Sequence, residues 1–141
     1  MMEQKLQIEA AVENLPQVLS FIEHSLETMH CSPKTKMQIN VSVEEIFVNI
    51  AHYAYSSNNN GSVTVNTECS SDPPEITITF TDSGVPYDPL AKDDPDITLS
   101  AHERNIGGLG IFLVKKMMDQ VCYEHHDGQN ILKITKKLPS V

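Results

Sequence analysis

The sequence predicts an α+β domain, a two-layer sandwich with helices on one face of a mostly antiparallel mixed sheet. Three observations predict it. Residues 5–12 and 75–81 alternate apolar and polar side chains, the pattern of half-buried strands. Apolar residues recur at helical spacing through two consecutive segments between 15 and 55. Near the C-terminus, Asp127-Gly128 stands between two strand-like runs, a strong hairpin signal.

In the first strand, residues 5–12, Leu6, Ile8 and Ala10 share one face. Leu15-Pro16 opens a helix, because proline is tolerated in the first helical turn. Leu19, Ile22, Leu26 and Met29 carry that helix to about residue 30. Ser32-Pro33 interrupts, and Ser32 is placed to cap a second helix from 33 to about 55. Its core side is Ile39, Val43, Ile46, Phe47, Ile50 and Ala54. Asn58-Asn59-Asn60-Gly61 reads as a turn into a strand over 62–68, and Asp72-Pro73-Pro74 as a turn into a central strand over 75–81. A stretch rich in Pro, Asp and Gly runs from 82 to 108, a length that inside a compact domain signals a functional lid. A third helix over 109–120 and a hairpin of strands 121–126 and 131–138 complete the order. No repeat, linker or second domain is visible, so one domain over residues 1–141 is expected.

Composition narrows the function. A chain of 141 residues suits one domain with a real core. No apolar run approaches the ~20 residues of a membrane span, and the N-terminus lacks the apolar stretch of a signal peptide; no membrane contact and a cytoplasmic location are expected. Cys31, Cys69 and Cys122 have no CxxC spacing and read as reduced packing thiols. A formal charge of −9 argues against a direct nucleic-acid surface. It does not exclude nucleotides, because Mg²⁺ and backbone N–H groups can offset phosphate charge.

Three short segments carry the chemistry. Glu45 and Asn49 in Glu45-Ile46-Phe47-Val48-Asn49 stand four apart and share a helix face. Asn offers a neutral oxygen to an octahedral Mg²⁺ shell, and Glu can act as a base toward a hydroxyl or water. From these residues alone, a solvated face with Glu44 alongside is the commoner reading. Asp82-Ser83-Gly84 ends the central strand. Its carboxylate can accept from an exocyclic amine, and Gly84 admits close approach of a planar ring. The same residues also make an ordinary β-turn. Gly107-Gly108-Leu109-Gly110 leads into a helix whose N-terminus favours an anion, or it is a flexible joint. It is not a Walker A or Rossmann motif. His30-Cys31 and His125-His126 lack further ligands at useful spacing, so no zinc site is expected.

In this order the three segments resemble the N, G1 and G2 boxes of the Bergerat ATP-binding fold, shared by gyrase-type topoisomerases, heat-shock chaperones, sensor histidine kinases and bacterial anti-sigma-factor serine kinases. The resemblance to the last group is closest and spans nearly the whole chain. Pro86-Tyr87-Asp88-Pro89 is similar to the PFDP that follows the family's Asp-x-Gly, and residues 107–112 match its GGLGL almost letter for letter. The family's N box continues differently, with a His where this chain has Tyr53-Ala54-Tyr55.

The resemblance implies ATP and Mg²⁺ as cofactors, with Glu45 as catalytic base and Asn49 as metal ligand. It implies Asp82 and Gly84 at the adenine, Gly107, Gly108, Leu109 and Gly110 around the phosphates, and residues 90–106 as the ATP lid. Arg104 in that lid corresponds to an Arg near the terminal phosphate, although two extra residues separate it from the Gly-Leu-Gly. The implied function is a serine/threonine protein kinase acting on an anti-anti-sigma partner while binding a sigma factor. A homodimer is left open. Two alternatives share these residues: a nucleotide-sensing binding module without phosphotransfer, and an ATPase or stand-alone histidine-kinase catalytic domain.

Overall fold

A computed structural model describes residues 2–55, 61–86, 88–91 and 108–138. Strand β1 (Met2–Glu9) is followed by a 3-10 turn (Val12–Asn14), helix α1 (Leu15–Leu26) and helix α2 (Pro33–Tyr53). Strands β2 (Ser62–Ser71) and β3 (Pro74–Asp82) come next. Then follow a 3-10 turn (Pro89–Ala91), helix α3 (Gly108–Met117) and strands β4 (Gln120–His126) and β5 (Gln129–Lys137).

The strands form one sheet in the order β1-β2-β3-β5-β4. All four pairings are antiparallel, so the mixed component allowed by the sequence does not occur among the described strands. The segment expected to be central, β3, is the middle strand. Its burial alternates, with Ile76, Ile78 and Phe80 inside and the threonines between them half-exposed. The helices cover the inner face, where Ile22 of α1 and Ile39, Ile46 and Phe47 of α2 join Phe80 and Ile134 in a fully buried core. Burying one such side chain contributes about 1.5–3 kcal/mol.

Local chemistry sets the element ends. Ser32 caps α2: its Oγ accepts from Thr35 N–H at 3.1 Å, and Pro33 occupies the first turn. The first strand begins earlier than its alternation suggested, because β2 offers partners back to Cys69 opposite Met2. Helix α1 stops at Leu26, where the Glu27 N–H turns to the His24 carbonyl three residues back. The Asp72-Pro73 turn, with a cis peptide bond, joins β2 to β3. Asp127 and Gly128 both adopt positive φ, 52° and 75°, as a tight two-residue hairpin requires. Of the three cysteines, Cys69 is buried as expected, but Cys122 is exposed on edge strand β4 and does not pack. Among the described residues no helix is long and apolar enough to cross a membrane.

Candidate functional site

The ends of β3 and β5, the C-terminal half of α2 and the first turns of α3 enclose a cleft of about 450 Å³, counting its open mouth. Ile46, Asn49, Ile50 and Tyr53 of α2 form one wall. Ile111 of α3 faces them, and Leu132 lies below. The cleft is mostly apolar, with a few polar groups converging in it, the composition of a small-molecule site.

Asp82 is the polar group at its floor. It is the last residue of β3 and only 5% exposed. Its Oδ1 accepts from the Gly84 N–H at 2.9 Å and from Asn130 Nδ2 at 2.9 Å. Its Oδ2 takes no hydrogen bond among the described residues, leaving one carboxylate oxygen available inside an apolar pocket. Asn130 sits directly opposite Asp82 in the β3–β5 register. Its Nδ2 also donates to the Val85 carbonyl at 2.9 Å, and its Oδ1 accepts from the Tyr123 hydroxyl of β4.

Gly84 has a packing duty in the fold. A Cβ there would lie 2.0 Å from the Ala54 carbonyl oxygen. The missing side chain lets the loop after β3 close onto the end of α2, where the Val85 N–H donates to Ala54 O at 2.8 Å. Val85, rather than Gly84, lines the cleft. A second tie runs through Tyr55. Its hydroxyl donates to Ser62 O at 2.6 Å and accepts from the Ser83 N–H at 2.9 Å.

One turn separates Glu45 from Asn49 on α2. Asn49 lines the cleft, and its carboxamide makes no hydrogen bond among the described residues. Glu45 is half-buried and Glu44 exposed. The Glu45 carboxylate lies against Gly110, where an added Cβ would come within 2.2 Å of Oε2. Gly108, Leu109 and Gly110 form the first turn of α3, whose N–H groups have no intrahelical partners and can bind an anion. Glu45 and that turn therefore lie side by side, one helical turn from Asn49 in the cleft wall. Among the described residues no group of three or more His, Cys, Asp or Glu side chains can hold a metal ion. A free Asn carboxamide beside a helix N-terminus instead fits a Mg²⁺ that arrives on phosphate oxygens and keeps most of its other ligands as water. Arg104, Gly107 and residues 92–106 of the expected lid lie outside the described residues.

Asn130, Tyr123 and the apolar walls were not legible as site residues. They reach the cleft through strand pairing, and Asn130 is 48 positions from Asp82. The hairpin at Asp127-Gly128 fixes Tyr123 opposite Leu132, beside Asn130, but nothing local predicts that β5 pairs with β3.

Comparison with known proteins agrees with this geometry. The family model described as the histidine kinase-like ATPase domain matches residues 8–136. The serine/threonine-protein kinase BtrW of Bordetella bronchiseptica is 22% identical over 130 residues, covering 92% of this chain and 90% of that protein. Among solved structures, the RsbU and RsbW domains of Rv1364c from Mycobacterium tuberculosis superpose with a TM-score of 0.69 at 12% identity. The match takes in 98% of this chain and 33% of that one, so the chain spans about a third of that protein's length and the likeness is one of fold. On its sequence match, and with an α+β fold and cleft that agree, the chain belongs to the histidine kinase-like ATPase domain family.

Proposed function

We propose that this chain is a serine/threonine protein kinase of the anti-sigma type. It binds Mg-ATP in the cleft and phosphorylates a hydroxyl on an anti-anti-sigma partner. The observation that carries the reading is the buried Asp82, with one oxygen open at the floor of an apolar cleft whose far end gathers Glu45, Asn49 and the first turn of α3. The likeness to a named serine/threonine-protein kinase over nearly its whole length supports the choice of reaction.

In this reading Asp82 accepts from the exocyclic amine of adenine, and Val85, Ile50 and Leu132 flank the ring. The phosphates run toward α3, where the N–H groups of its first turn receive them, and the sequence resemblance adds Gly107 at the phosphates and Arg104 at the terminal one. Residues 90–106 act as the lid. Asn49 holds Mg²⁺, which when bound neutralises phosphate charge. Glu45 accepts the proton of the attacking hydroxyl as the oxygen–phosphorus bond forms and ADP leaves. Sigma-factor binding and a cytoplasmic setting complete the proposal.

Incubation with γ-labelled ATP and candidate partners, found by co-purification, tests it. Label on a partner serine or threonine is expected. ATP binding with no transfer to a genuine binding partner would instead make the chain a nucleotide-sensing module. Phosphohistidine, or partner-independent hydrolysis, would make it a histidine-kinase catalytic domain or an ATPase.

A further inference from the structure

We infer that Asn130 and Tyr123 are positioning residues that set base recognition by Asp82. The inference rests on the proposed adenine site. A carboxylate can offer either oxygen and can rotate, so it specifies an amino group only if something fixes it. Here Asn130 does so from the neighbouring strand. One Nδ2 proton is directed at Asp82 Oδ1, and the other at the Val85 carbonyl, both at 2.9 Å. With the Gly84 N–H also on Oδ1, the remaining lone pairs of Asp82 that face the cleft belong to Oδ2.

Tyr123 supports this orientation of Asn130. Its hydroxyl donates to Asn130 Oδ1. A flipped carboxamide would turn its oxygen toward a carboxylate and a carbonyl, neither of which can donate, while the phenol oxygen can accept as well as donate. Asn130 is 6% exposed, so water cannot easily offset such a mismatch. The same carboxamide pins Val85, a wall of the cleft, whose N–H is held at its other end by Ala54. Asn130 thus sets both the acceptor and the wall that a base meets.

The test compares ATP with purine riboside triphosphate, which lacks the 6-amino group, by calorimetry on wild type, Tyr123→Phe and Asn130→Asp. Asn130→Asp keeps the shape but places a second carboxylate where a donor stood. The titratable groups around it are Asp82 on β3, Tyr123 and, directly opposite Asn130 in register, His125 on β4, and Tyr53 on α2; Glu45 lies further along α2, and Asp88 in the loop turns back to the Leu90 N–H. Near pH 8 the variant should bind ATP at least about 10-fold more weakly, as expected for a lost hydrogen bond to a charged group. Its affinity for the purine analogue should hardly change, so the preference for the amino group collapses. Tyr123→Phe should lower the ATP preference in the same direction by a smaller factor, about 2- to 5-fold for one neutral hydrogen bond. Equal weakening of both nucleotides would mean a merely structural role and overturn the inference. So would an unchanged preference in both variants while Asp82→Asn still weakens ATP. If Asp82→Asn itself leaves ATP affinity intact, the adenine reading fails first, and this inference with it.

Discussion

Glu45 and Asn49 are one helical turn apart yet meet different surroundings, and under the proposed function this separates binding from chemistry. Asn49 lines the cleft, so Asn49→Ala should lower Mg-ATP affinity and phosphotransfer together. Glu45 lies beside Gly110, away from the base pocket. Glu45→Ala should leave ATP affinity nearly intact and slow transfer ~10²–10⁴-fold, the usual share of a positioned base; single-turnover assays beside calorimetry read the two effects. The cysteines provide an independent check on burial. Burial pushes the Cys69 thiol above its ordinary 9.0, and burial also raises Cys31 while Lys36 opposes it. A thiol reagent at pH 8 should label exposed Cys122 first, Cys31 more slowly, and Cys69 only on unfolding. Because the folded pKa of Cys69 exceeds the unfolded one, its contribution to stability is complete below pH 9 and declines as pH rises through the folded value. The difference in urea midpoint between wild type and Cys69→Ala should therefore narrow at pH 10.

Element ends, more than element middles, build the cleft. Gly84 lets the end of β3 touch the end of α2, and its obstacle is backbone. Gly84→Ala should destabilise the protein by about 1–3 kcal/mol, the usual cost of overpacking. Gly110 faces the tip of a flexible Glu45 side chain, which can swing aside. Gly110→Ala should thus unfold near the wild-type midpoint while losing phosphotransfer with Glu45 displaced. Thermal unfolding of the pair distinguishes the two glycines. Ser32→Ala, at the α2 cap, should cost about 1 kcal/mol. These ends also mark where sequence reading succeeded and stopped. Ser32-Pro33 and Asp127-Gly128 announced themselves through capping and turn chemistry, which is local. The end of α1 did not, since Met29 continued the helical spacing beyond the point where the backbone turned. The exposure of Cys122 depends on β4 being an edge strand, which composition does not reveal.

Across the whole molecule, antiparallel pairing of β3 with β5 and packing of α2 against α3 bring together segments around residues 45–49, 82–85, 108–111 and 130, which sequence separates widely. The first three carry motifs that resemble a family and could be read from the chain alone. The fourth carries a single Asn whose meaning depends on its register opposite Asp82. Under the proposed function, the net charge of −9 leaves phosphate binding to local N–H groups and a divalent cation rather than to the overall field. The central claim is that this cleft is an adenine-nucleotide site read by Asp82, and calorimetric titration with ATP and GTP in the presence of Mg²⁺ tests it most directly. Wild type should bind ATP and strongly discriminate against GTP, because the Asp82 carboxylate repels guanine's carbonyl. Asp82→Asn should weaken ATP binding by about 1.5–3 kcal/mol, as expected for one charge-assisted hydrogen bond. Equal affinity of the wild type for ATP and GTP, or an Asp82→Asn variant that binds ATP as tightly as wild type, would contradict it.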